Sequence, residues 1–388
     1  MRRCVIFLFV LLLLIAPTQA QRGQIGKNIL LSAGSPEDKA LTAVTEATDP
    51  AKKLELLDAW LAEFGKGDLA ILAYELYVMH YTAERNYDKA FEYGEKLLAL
   101  DPDAVTTAVA LMRLASEKPD VPRMYSYGER VGAIVERYKA RPPAQGMNAE
   151  DWAGTKAETL SDLASTISFV EYTMFTTGYQ AQDPAQKAAL LERFIAAFPK
   201  STYAANSMVM IADAYQQARA PLKMVAFARK MLAADANNFW MMVVLADYWA
   251  TNQEQLDSAE SYARKAITLL EKAPKMEGVT EEDWEKQKSL QQGLAWSALG
   301  LIHVHKDRDA QAVEALQTAS PLLKPYDYYY GRNLYFLGFA LARAKRITEA
   351  RTILVEATTV DSPYKSRAQD TLAKIGGPAA KAPAKKKP

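Results

Sequence analysis

Reactive side chains are scarce in this chain of 388 residues, which has one cysteine and three histidines. The cysteine, Cys4, comes before an apolar run instead of ending it, so the pattern of a lipid-anchored cysteine is absent. Whatever follows that run has no thiol chemistry and no disulfide. His303 and His305 form an HxH. On a helix, residues two apart point about 200° away from each other, so this pair cannot grip one ion, and a packing role is expected for both. His80, next to Tyr81, reads the same way. There is no Gly-rich phosphate loop, no G-x-S-x-G elbow and no H-E-x-x-H, which removes the usual frames for phosphate binding, serine nucleophiles and zinc peptidases. Charge of one sign is missing too: 47 basic side chains face 46 acidic ones. Nucleic acid requires clustered positive charge and is an unsuitable partner. The expectation is a chain that is not an enzyme, with no catalytic, cofactor-binding or metal-binding residues.

The two ends differ from the middle. Met1-Arg2-Arg3 precedes "CVIFLFVLLLLIA", thirteen apolar residues, and then "PTQA". A basic start, a short apolar stretch and small residues fit a secretory signal peptide over 1–20, cut after Ala20. Thirteen residues fall short of the roughly 20 needed to cross a bilayer. The mature form is therefore expected to be exported, periplasmic or secreted, without an integral membrane span. Retention of residues 1–15 as a tether is the alternative. Loss of Arg2 and Arg3 would leave one acidic side chain in excess. Residues 21–34 read as a flexible segment. At the other end, 376–388 contains only Gly, Pro, Ala and Lys, a composition that cannot bury apolar surface and reads as disordered. Its Lys381, Lys385, Lys386 and Lys387 could touch an anionic surface, or simply keep the chain soluble.

Between the ends the signal is helical throughout. Leu160, Leu163, Ile167, Val170 and Met174 form a ladder at spacings of three and four. Ser35-Pro36, Asp49-Pro50, Asp183-Pro184 and Ser362-Pro363 each offer an oxygen cap followed by proline at the first helical position. Asn148 with Asp151, and Thr280 with Asp283, resemble capping boxes. About seventeen helices are expected. The chain also repeats itself. "DPAKKLELLDAWLAEFGKG" from Asp49 and "DPAQKAALLERFIAAFPKS" from Asp183 share nine of nineteen positions. The alignment runs without a gap from Asp49–Asp103 to Asp183–Asn237, and "GMNAEDW" ending at Trp152 answers "GVTEEDW" ending at Trp284. Two tandem modules of about 133 residues follow, a scale that signals a solenoid. Each holds one long helix, near Ala149–Gly178 and near Thr280–His305, after the loops "RPPAQGM" and "APKMEGV", expected to set curvature or to contact something.

A shorter unit lies within the modules. "WSALGLIH" from Trp296 is followed by Ala312, Leu316 and Ala319; "LYFLGFAL" from Leu334 is followed by Ala350, Leu354 and Ala357. Gly300 and Gly338 would let two helices approach while Leu299 and Leu316 fill the space around them. This pattern resembles the tetratricopeptide repeat, strongly from Gly293 to Pro363 and more weakly before, including Tyr74–Pro102 and Met208–Met231. The resemblance implies an all-α fold, a right-handed α-solenoid of antiparallel helix pairs. The expected layout is 35–182 and 183–310 as two helical-repeat modules, and 311–375 as C-terminal repeats with a capping helix. It also implies a groove lined by the second, fifth, ninth and twelfth repeat positions: Asn206, Asp213, Gln216, Trp240, Asp247, Arg332 and Tyr335. The Lys/Asn clamp of chaperone-binding members is missing, because those positions hold pairs such as Glu75/Met79, Val209/Asp213 and Val243/Asp247. "FPKSTYAANS" from Phe198 is similar to the repeat joints of bacterial envelope-assembly proteins. The function these features imply is a non-catalytic scaffold of the cell envelope holding a partner protein or peptide. The alternatives are a membrane-tethered assembly factor, or a ligand-handling or enzymatic protein with a site between the long helices near Trp152 or Trp284. "YDYYY" at Tyr326–Tyr330 reads either as packing between repeats or as a binding hot spot, and "EED" at Glu281–Asp283 as charge complementing a helix start.

Overall fold

Oxygen side chains and prolines decide where helices begin. Asp49 accepts a hydrogen bond from the Lys52 amide at 2.7 Å and Asp183 one from the Gln186 amide at 2.9 Å, each just ahead of a helix-opening proline. Ser35 caps in the same way. Asn148 and Thr280 cap the amides of Asp151 (2.8 Å) and Asp283 (3.1 Å). The structure, a computed structural model, describes residues 25–143, 146–276 and 279–376. Expectations for residues 1–24 and 377–388, and part of each Pro/Gly loop, lie outside the described residues.

The described residues hold eighteen α-helices and no strand. They fall into two compact units. One runs through Gly178 and takes in Ala196–Pro199; the other takes in Tyr179–Ile195 and continues from Lys200.

The first unit contains α1 (Pro36–Glu46), α2 (Pro50–Phe64), α3 (Ala70–Ala83), α4 (Tyr87–Leu100), α5 (Val105–Glu117), α6 (Val121–Ala140), α7 (Ala149–Asp162) and most of α8 (Ala164–Gln180). Consecutive helices pack as pairs, α1 on α2, α3 on α4 and α5 on α6. Before α1, Ile25 is buried and its carbonyl accepts from Arg141 at 3.2 Å, while the Lys27 amide donates to Asp101 at 2.6 Å. Part of the segment expected to be flexible is thus held against the unit.

The long helix expected over Ala149–Gly178 is two helices, α7 and α8, that meet at Leu163. Ser161 and Asp162, just before the break, compete for backbone hydrogen bonds and are poor interior residues. This break accounts for eighteen helices where about seventeen were expected. Trp152 donates its indole N–H to the Arg141 carbonyl at 3.0 Å, and Lys156 donates to the Lys139 carbonyl at 3.0 Å. Both serve to close the end of α6.

The second unit takes in most of α9 (Pro184–Ala197) and then α10 (Ala204–Gln217), α11 (Pro221–Ala234), α12 (Phe239–Asn252), α13 (Leu256–Lys272), α14 (Glu281–His305), α15 (Asp309–Leu323), α16 (Asp327–Arg343), α17 (Ile347–Ala357) and α18 (Lys365–Lys374). Pairs α10/α11, α12/α13, α14/α15 and α16/α17 stack so that α10, α12, α14 and α16 are neighbours in turn. The close approach expected at the glycines is there. A Cβ on Gly300 would lie 2.4 Å from Leu316, and one on Gly338 would lie 2.5 Å from Leu354.

Every first helix of these pairs ends in one turn. Backbone bonds from Ala220 to Tyr215, Glu254 to Trp249, Arg308 to His303 and Arg346 to Leu341 each skip five residues. A residue of positive φ sits inside each: Arg219 (52°), Gln253 (58°), Asp307 (54°) and Lys345 (59°). In the first unit α3 ends likewise, with Arg85 at 55° and a bond from Asn86 to Tyr81. Ser362 departs from the expectation, because α18 starts at Lys365 instead of Pro363. A Cβ on Gly331 would sit 2.1 Å from the Ser362 hydroxyl, so this serine packs over α16 and caps nothing.

Candidate functional site

The second unit encloses a cavity of about 440 Å³ between α10, α12, α14 and the start of α16. Helical spacing explains how side chains converge there. Val209, Ala212, Asp213 and Gln216 lie at i, i+3, i+4 and i+7 on α10, one face. Val243, Val244, Asp247, Tyr248 and Thr251 do the same from α12, Gln291 and Leu294 from α14, and Tyr328, Tyr329 and Arg332 from α16. Arg219, Pro221 and Met224 close the side nearest the turn into α11.

Arg332 governs the interior. It is 1% exposed and holds both carboxylate oxygens of Asp247, Nη1 to Oδ2 at 3.1 Å and Nη2 in close contact with Oδ1. Nη1 also donates to Thr251 Oγ1 at 3.1 Å. The guanidinium lies 5.6 Å from the centre of the Tyr329 ring. Burial alone would lower the Arg332 pKa, but the Asp247 carboxylate drives it well above the usual range, so the guanidinium keeps its charge. Tyr329 is pushed up to about 12, first by burial and next by the Asp247 carboxylate. At the rim, Asp213 accepts from the Gln217 carboxamide at 2.7 Å. Gln291 is 5% exposed, and its Oε1 has no hydrogen-bond partner.

Of the seven residues expected to line a groove, Asp213, Gln216, Asp247 and Arg332 meet at this cavity. Arg332 is there as the buried counter-ion of Asp247. Asn206, Trp240 and Tyr335 do not line it. Trp240 is 7% exposed, its ring against Phe239; Tyr335 packs among Phe336, Phe339 and Tyr364. The aromatic run divides its labour, since Tyr330 is buried and donates to Glu356 at 2.5 Å whereas Tyr328 and Tyr329 face the cavity. Gln291 is one of several lining residues, with Arg219, Tyr248 and Thr251, that the repeat frame missed. Nothing in the sequence singles Gln291 out among its polar neighbours Gln287, Lys288, Ser289 and Gln292.

The histidines turn to different helices. His303 Nε2 lies 3.3 Å from Arg264 Nη2 on α13, and the His305 ring meets Phe336 on α16 edge-on. Burial lowers the pKa of each. Trp284 is 2% exposed and serves packing. A second hollow in the first unit, of about 360 Å³, is lined by Asp88, Glu92 and Glu95, but Lys118, Lys96 and Arg130 respectively already pair with them.

No protein-family model matches the chain, and no curated protein matches it in sequence. Solved structures to which it is similar include the TPR domain of P58(IPK), with 12% identity over 88% of this chain and 98% of that one and a TM-score of 0.28. The APC/C hetero-tetramer Cut9–Hcn1 gives 14% identity over 87% and 77%, with a TM-score of 0.29. Yeast Tom70 gives 13% identity over 87% and 88%, with a TM-score of 0.27. At such values nothing of what those proteins do transfers to this chain. Each unit of the described chain is all-α and built from consecutive helices packed in pairs.

Proposed function

We propose that the chain is a non-catalytic scaffold of the cell envelope that holds a segment of a partner protein in the cavity between α10, α12, α14 and α16. The observation that carries this reading is the cavity itself. It joins an apolar floor (Val209, Ala212, Val243, Leu294) to rim groups that reach solvent, Asp213 and Gln216 among them. Such a surface suits recognition of a side chain, with hydrogen-bonding groups fixing its orientation. The envelope address rests on the basic, apolar and small-residue start of the sequence. No helix among the described residues is long and apolar enough to cross a membrane.

Site-specific photocrosslinking in the native host tests the reading. A crosslinker at Gln216 or Val244 is expected to trap one protein, and the same group at exposed Thr268 on α13 is expected to trap none. Equal trapping at both positions would refute it. A ligand-handling protein is the second reading, favoured by the convergence of Asp213, Asp247, Arg219 and Arg332 on one half-enclosed space. A small molecule that co-purifies with the chain and is lost from a cavity-filling Ala212→Phe variant would favour it.

A further inference from the structure

The charges around the cavity are not equivalent. The Asp247 charge is spent inside the fold on Arg332. The only partner of the Asp213 carboxylate is the neutral carboxamide of Gln217, and no cation pairs with it among the described residues. Gln291, 5% exposed and part of the same lining, has an acceptor oxygen without a donor. Tyr328 is 42% exposed and borders the site, and its ring meets Tyr329 edge-on, the ring that already has the Arg332 guanidinium over it. What these groups lack is a donor that carries positive charge. The field at Tyr329 agrees: the Asp247 and Asp213 carboxylates both raise its pKa, against Arg332, which lowers it. Arg219, the remaining cation, belongs to the turn after α10 beside Pro221 and Met224.

Resting on the reading that a partner segment enters the cavity, we propose that the segment delivers a lysine or arginine side chain. Its stem lies on Val209 and Val243, and its cationic head sits between the Asp213 carboxylate and the exposed ring of Tyr328. A long aliphatic stem with a charged tip suits an apolar floor with a charged rim. A cation over aromatic faces next to a carboxylate gains from both.

Fluorescence-anisotropy titrations of the full chain with labelled nonapeptides test this. All share one neutral extended frame and carry a central lysine, arginine, norleucine or glutamate; N-acetyl-lysine methylamide is the small competitor. The lysine and arginine peptides are expected to bind at least about ten-fold more tightly than the other two, the scale of one charge-assisted contact. The preference is expected to weaken as salt rises. Asp213→Asn is expected to remove that ten-fold preference without moving Tm, and Tyr328→Leu to reduce it. Glu314→Gln, at an exposed position on α15, is expected to change neither. If norleucine or glutamate peptides bind as tightly as lysine and ignore Asp213→Asn, the cation site is wrong while the partner-segment reading stands. If N-acetyl-lysine methylamide binds in an Asp213-dependent way and no peptide does, the cation site stands and the partner-segment reading falls. Binding by none of the probes overturns both.

Discussion

Removing Asp247 and removing Arg332 should have unequal costs. The side chain of Arg332 is 2% exposed and that of Asp247 is 22% exposed, at the edge of the cavity. Asp247→Ala leaves a buried guanidinium with Thr251 as its remaining partner, and an uncompensated buried charge costs about 3–5 kcal/mol. Arg332→Met leaves a carboxylate that water can reach through the cavity, and the loss should be nearer ~1–2 kcal/mol. The pair Asp247→Leu with Arg332→Met replaces both charges by apolar volume and should lie within about 1 kcal/mol of the parent, or above it. Urea unfolding followed by tryptophan fluorescence measures this, because Trp240 and Trp249 share α12 with Asp247. A double-mutant cycle built on Asp247→Leu and Arg332→Met should return a coupling of at least about 3 kcal/mol, the summed single losses less that of the pair. An Asp247→Ala variant that is less perturbed than Arg332→Met, or purely additive losses, would refute the reasoning. Asp247→Ala is also a poor probe of partner binding, since it disturbs the wall it sits in.

Other perturbations follow from the same geometry. Glu260 accepts from Lys306 at 2.8 Å and Arg264 at 2.9 Å; burial raises its pKa, but these hydrogen bonds prevail and hold it at about 2. Its contribution is present above the unfolded value near 4.5 and lost as pH falls toward 2, worth ~1–2 kcal/mol after solvent screening. Thermal melts across that window should show Glu260→Gln as less acid-sensitive than the parent. Gly300→Ala would place a Cβ 2.4 Å from Leu316 and should cost about 1–3 kcal/mol by overpacking, read as a lower urea midpoint; an unchanged midpoint would deny the close approach of α14 and α15. Lys345, at a φ of 59° in the turn after α16, should tolerate glycine with a gain of up to about 1 kcal/mol, and a loss in the same melt would argue against that turn. Truncation before Ser362 removes the helix that buries Ala368 and Leu372 and should lower solubility; a truncated chain that is as soluble as the parent would show that α18 is no cover for the last repeat.

Local rules made most of the helices readable. A cap needs only the three or four residues that follow it, so Asp49, Asn148, Asp183 and Thr280 could be placed from sequence, and so could the tight contacts at Gly300 and Gly338. Ser362 misled because its side chain packs over Gly331, 31 positions earlier in the chain, a contact no local pattern contains. The site was less legible for the same reason. The repeat frame brought Asp213, Gln216 and Asp247 to one face, but it could not say that Arg332, 85 residues from Asp247, spends its charge there. Trp240 and Tyr335 carry the right chemistry for a groove. Each lies two turns from a lining residue on the same face, Trp240 from Asp247 and Tyr335 from Tyr328, so it is height along the helix that carries it past the cavity, and repeat position alone does not fix that height.

The duplication itself separates what folds this chain from what its cavity could bind. At the common offset, Leu57 matches Leu191 and Trp60 matches Phe194, all buried. Asp101 accepts from the Asp103 amide at 3.1 Å, and Asp235 accepts from the Asn237 amide at 2.9 Å, one turn written twice. Arg85 and Arg219 share the left-handed position that ends α3 and α10. Asp58 and Glu192 are matched acceptors, served by Tyr77 in one copy and in the other by Tyr215, whose own counterpart is Tyr81, one turn further along. These positions make the helix pair, and both copies keep them. The cavity positions did not hold: Val209 and Asp213 correspond to Glu75 and Met79, the latter 67% exposed. A scaffold assembled from copied bricks needs the same packing in every brick, but a recognition surface only where a partner sits. Divergence reaches packing positions too, Tyr77 against Ile211 and Gly94 against Ala228, but at the lining it replaces Glu75 and Met79 by Val209 and Asp213, an apolar floor with a charged rim that the first copy does not offer.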